Sequence, residues 1–69
     1  MNRVLIGVRG VDQKEQMEKI VLALSKLEGV GKAVATSLGQ VEVEYDAHRL
    51  TVMDLIRTVR EQGFLAGML

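Results

Sequence analysis

The chain has no cysteine, no proline and no tryptophan among its 69 residues, and only one phenylalanine, one tyrosine and one histidine. Without cysteine there can be no disulfide and no thiolate metal site, and the redox compartment leaves no mark. With two aromatic rings in all, the stacking platforms of a single-strand nucleic-acid binder are missing. Charge of one sign is missing too: nine Lys and Arg balance nine Asp and Glu. No basic excess draws the chain onto nucleic acid or acidic lipid. The longest apolar run near the start, in "MNRVLIGVRG", is broken by Gly7 and Arg9. It is too short for a secretory signal or a bilayer span. A cytoplasmic protein, or a cytoplasmic domain of a larger one, is expected. No linker or low-complexity segment divides the chain, so one domain over 1–69 is expected. A domain of this length buries roughly 60% of the surface its unfolded chain exposes, enough for a marginal core.

What is present is periodicity. "RVLIGVR" alternates and is rich in branched residues, so it predicts a first strand with Val4, Ile6 and Val8 on one face. Asp12 has the chemistry of an N-cap, with Glu15 three residues on. The helix that follows carries Met17, Ile20, Leu24 and Leu27 on one stripe, widened by Val21 and Ala23, with Lys14, Glu18, Lys19 and Lys26 largely opposite. Gly29 is expected to stop it. "KAVATSLGQVEVEYD" predicts a hairpin turning at Gly39, with Val41, Val43 and Tyr45 on its dry face. Thr51 and Asp54 repeat the capping pattern ahead of Val52, Leu55, Ile56 and Val59, and Gly63 ends that second helix. "FLAGML" predicts a last strand.

The order β-α-β-β-α-β is that of an α+β, ferredoxin-like domain: a four-stranded antiparallel sheet with two helices on one face and solvent on the other. Arg3 and Arg9 can then pair across the wet face with Glu42 and Glu44.

Within that fold the chain resembles the heavy-metal-associated domains, the copper chaperones, mercury-binding proteins and N-terminal modules of metal-pumping ATPases. The resemblance rests on "VRGV" leading into the loop, "IVLALSKLEGV" on the first helix, "VEVEYD" on the third strand and "LIRTVREQGF" on the second helix. It covers nearly the whole chain. The family's metal loop reads Gly-Met-x-Cys-x-x-Cys. Laid on this chain it falls at Gly10, Val11, Asp12, Gln13, Lys14, Glu15 and Gln16. Val11 stands where the family has a buried methionine that anchors the loop. Phe64 stands where a bulky side chain leans over the metal. Both thiols are replaced, by Gln13 and Gln16. A neutral amide is a poor ligand for Cu(I) or Zn(II), so the resemblance implies a degenerate loop with no metal and no cofactor.

In the metal-binding relatives the loop end meets a partner. Here it would offer Val11, Leu38 and Phe64 as an apolar centre, with Asp12, Gln13, Lys14, Gln16, Gln40 and Gln62 around it. The expected partner is a protein: a metal-transport protein, or another domain of the same chain. The structural alternative is that Val11 and Phe64 close the end of the core and that the glutamines are plain helix-surface residues.

No catalytic constellation accompanies this. Ser25 and Ser37 have no nearby His, and the acylphosphatase-type loop would need an Arg after Gly10, where none occurs. An enzyme is not expected. His48 falls at the opposite end of the fold from the loop, together with Met1 and Met68, and Met17 and Met53 are expected in the core. Two other readings stay open: a metal-trafficking or transporter N-terminal module with weak non-thiol metal binding, and a small-molecule-sensing ferredoxin-like regulatory domain.

Overall fold

The computed structural model describes residues 1–69. Six elements follow one another: β1 (Asn2–Arg9), α1 (Lys14–Ser25), β2 (Val30–Ser37), β3 (Gln40–Tyr45), α2 (Val52–Glu61) and β4 (Leu65–Met68). The strands form one antiparallel sheet in the order β2-β3-β1-β4. This is the ferredoxin-like βαββαβ fold that the sequence pattern predicts.

The core is where the period-2 and period-3.6 patterns meet. Val4, Ile6 and Val8 of β1 and Val41, Val43 and Tyr45 of β3 line the covered face of the sheet. Met17, Ile20 and Leu24 of α1 and Leu55 and Val59 of α2 pack onto them. β3 lies between β2 and β1, and Val41 and Val43 are completely shielded from water. Burying one such aliphatic side chain contributes about 1.5–3 kcal/mol. No polar side-chain atom is buried without a partner.

Several local expectations shift. α1 begins after Gln13, so Asp12 is not its N-cap. α1 also ends at Ser25, short of Gly29. Gly29, at φ +106°, instead shapes the turn in which the Val30 N–H donates to the Leu27 carbonyl. Gly63 does follow α2 directly, at φ +95°. Met17 is core, but Met53 is 58% exposed, because it falls on the solvent side of α2 between Val52 and Asp54. Arg3 faces Glu44, with the charged groups 3.8 Å apart. Arg9 faces Leu65 of β4 instead of a glutamate, since β1 outruns β3 at that end.

α2 is capped as its sequence predicts. The Asp54 N–H donates to the Thr51 hydroxyl, and the Thr51 N–H donates back to the Asp54 carboxylate at 2.8 Å. That backbone bond, helped by the Thr51 hydroxyl and more weakly by Arg57, holds the Asp54 carboxyl below its ordinary range. No helix is long and apolar enough to cross a membrane.

Candidate functional site

The loop between β1 and α1 is built from a glycine, an apolar anchor and an amide. Gly10 has φ +90°, a conformation that leaves the β-region sharply and that side chains resist. A methyl group placed there would lie 3.8 Å from Cδ1 of Phe64, so the ring stands over the loop's first residue. Val11 and Phe64 are both half-buried and pack against the core. Asp12 and Gln13 are exposed.

Gln16 closes the loop. Its side-chain oxygen accepts from the Asp12 N–H at 2.8 Å and from the Gln13 N–H at 2.9 Å. Two backbone donors at the helix start, which would otherwise need water, are satisfied by one amide. Asp12 lies one residue ahead of the N-cap, Gln13, and the cap reaches backwards from inside the helix to take its N–H. The spacing Gln13-x-x-Gln16 is that of a capping box with glutamine at its inner position. The sequence therefore carried a signal for this bond, masked by the more familiar Asp12–Glu15 pair.

Two other pieces lie beside the loop at this end of the sheet. The Val8 N–H donates to the Gly39 carbonyl at 2.8 Å, which ties the β2–β3 turn to the end of β1. Arg9 faces Leu65, which places the start of β4 and the preceding Phe64 beside them. Leu38, in the turn, is 57% exposed. It lines an open groove of about 650 Å³ with Arg9, Leu65 and Leu69. Phe64 does not line that groove, so Leu38 and Phe64 look toward different sides of the same end.

His48 is exposed and follows β3, whose last residue Tyr45 pairs with Asn2 at the far end of β1. Its N–H donates to the Asp46 carboxylate at 2.9 Å, which forms a local turn. Met68 faces Ile6 in the middle of β1, away from that end. No three His, Cys, Asp or Glu residues come together in a way that could hold a metal ion. The donor set at the loop does not fit a soft ion: its amides are neutral, and the Gln16 oxygen already serves two backbone N–H groups.

No family model matches the chain, and no curated protein matches it in sequence. Solved structures match it closely. A copper-binding domain from HMA7, a P-type ATPase, aligns with a TM-score of 0.93 and 27% identity over 100% of this chain and 95% of that one. The N-terminal domain of a potential copper-translocating P-type ATPase from Bacillus subtilis, in its Cu(I)-loaded state, gives 0.86 and 28% over 96% and 84%. Oxidised MerP from Ralstonia metallidurans gives 0.88 and 25% over 97% and 94%. The resemblance read from the sequence thus extends to the fold.

Proposed function

We propose that this chain, built on the fold of the copper-binding domains it resembles, is a non-catalytic docking module of metal transport whose metal loop is degenerate. One observation carries the reading. The loop has a glycine, an apolar anchor and the overhanging Phe64, while Gln13 and Gln16 stand at the positions that the resemblance assigns to the two thiols. Gln16 has turned its amide inward, so it orders the loop by hydrogen bonds. A scaffold can outlive its ligands and keep its surface. The surface in question is the loop end: Val11 and Phe64 half-buried, Leu38 exposed, and uncharged glutamines among the neighbouring polar side chains. The fitting partner is a protein of metal transport or another domain joined to this one, met on the cytoplasmic side.

The test places a photo-reactive residue at Leu38 in one variant and at His48, the opposite end, in another. Cross-linking from position 38 to a metal-transport protein, absent from position 48, supports the reading. Equal capture from both ends overturns it. Saturable Cu(I) binding at Gly10–Gln16 in an anaerobic titration would overturn the degenerate-loop part alone.

A further inference from the structure

The uncovered face of the sheet lacks two side chains where β1 meets β4, because Gly7 pairs there with Gly67. Glycine inside a strand commonly marks a place where another group comes close to the backbone. A methyl group on Gly7 would lie 2.9 Å from Cδ2 of Leu69, so the Leu69 side chain lies down over that glycine. A methyl group on Gly67 would meet nothing within 4 Å, so the floor is bare on the β4 side. Leu38, Leu65 and Leu69 are all exposed, and with the two glycines they line the groove of about 650 Å³. That volume falls within the roughly 300–1,000 Å³ of small-molecule sites.

Arginine alone brings side-chain charge to this groove. Arg9 faces Leu65 across β1 and β4. Arg60 lines the same groove from the last turn of α2, on the side where β4 is the edge of the sheet. Both are exposed, and neither forms an ion pair within the chain. No Asp or Glu lines the groove. Two other grooves mix their charges. The one between α1 and β2 sets Lys14 beside Glu18, and the one between the helices sets Lys19 and Lys26 beside Glu61. Charge of one sign over an apolar floor therefore distinguishes the Gly7–Gly67 groove from both.

We propose that this groove binds a small carboxylate with an apolar body, of the class of a medium-chain fatty acid. The body lies on the bare floor against Leu38, Leu65 and Leu69, and the carboxylate meets arginine at the rim. A guanidinium presents its N–H groups as a fork that matches a carboxylate, and it is more weakly hydrated than an ammonium. Neither half of the ligand suffices. A neutral apolar molecule leaves the arginines to water, and a short hydrophilic carboxylate leaves the three leucines exposed. The site needs no metal and no partner protein, so it stands or falls apart from the docking role.

The experiment titrates the purified, isotope-labelled chain with octanoate and follows the backbone amides by NMR, with octanol and acetate as controls. The expected result is saturable shifts at Gly7, Arg9, Leu38, Leu65 and Gly67, in an affinity that falls as salt rises. Leu22 and Ser25, in the charge-balanced groove between α1 and β2, should stay still. Octanol and acetate should each bind at least about tenfold more weakly than octanoate, and Arg9→Gln should weaken octanoate by about tenfold. Gly67→Leu should abolish binding by filling the floor. Gly67 has no positive φ and open space above it, so the fold should be kept, which thermal unfolding checks. Octanoate that does not saturate at millimolar concentration overturns the proposal. So does equal binding of octanol, indifference to Arg9→Gln, or equal shifts in the groove between α1 and β2. If octanoate fails while an acidic, leucine-containing peptide saturates the same amides, the proposal falls and the groove belongs to a protein segment.

Discussion

The side-chain oxygen of Gln16 lies 2.9 Å from the backbone nitrogen of Gln13, so a residue in the first turn of α1 caps the residue that precedes the helix. The same oxygen takes the Asp12 N–H at 2.8 Å. In this chain, the loop is ordered from within the helix. Gln16→Ala removes that acceptor and leaves two donors to solvent. It should lower stability by about 1 kcal/mol, as loss of a helix cap does. Urea unfolding gives the stability, and amide exchange at Asp12 and Gln13 should quicken more than exchange in the core.

Introducing two thiols tests whether the loop is shaped for metal. Gln13→Cys with Gln16→Cys should bind one Cu(I), since thiolates at a helix N-terminus are favoured by the helix dipole. The metal-free double variant should be less stable than the wild type, because the Gln16 cap is gone. Cu(I) should then raise its melting temperature, since a ligand of the native state stabilises it by mass action. A double variant that folds yet yields its Cu(I) to a modest competing chelator would show that the loop has another shape.

Phe64 and Leu38 should part company on mutation. Phe64 packs against the core and over Gly10. It is only half-buried, so Phe64→Ala should cost about 1.5–3 kcal/mol, below the 3–5 typical of a fully buried ring. Leu38→Ser, at an exposed turn, should stay within about 0.5 kcal/mol. Chemical unfolding of both variants decides the matter. If Phe64→Ala is as mild as Leu38→Ser, the ring contributes nothing to the core and serves the surface alone.

Asp54 sets a pH dependence. Its carboxyl is held below the ordinary range chiefly by the Thr51 N–H. A carboxyl depressed in the folded state contributes stability that is fully present above its unfolded value, about 3.9. That contribution is lost as pH falls through the folded-state value. Wild type should therefore exceed Asp54→Asn in stability at neutral pH, and the two should converge in strong acid. A gap that persists in acid would mean that the α2 cap does not depend on the carboxylate charge.

Much of the fold could be read along the chain because the patterns that encode it are local. Val4, Ile6 and Val8, then Val41, Val43 and Tyr45, alternate cleanly, and all six are buried where the alternation puts them. The second helix announces its own start through Thr51 and Asp54, and the hydrogen bonds are there. The first helix misleads, because two acids at capping spacing lie one residue ahead of the two glutamines, and only Gln16 turns back onto the backbone. That two glutamines flank the start of this helix was legible; what Gln16 does there was not. Propensity cannot say which of two overlapping boxes wins, since that depends on where the strand hands the chain to the helix.

By itself the sequence determined the elements, their order, most of the core and the absence of any thiol. Each follows from side-chain type and spacing along the chain, which unfolding does not erase. Tertiary structure alone decided the rest. Pairing of β1 with β4 set Arg9 against Leu65 in place of a glutamate and brought Phe64 over Gly10. Rotation of α2 on the sheet turned Met53 to water. Strand order left β2 as an open edge beside the exposed Leu22. These relations join residues far apart in sequence. They are fixed only when the whole core closes, because register and helix rotation settle where all the apolar side chains can be buried at once.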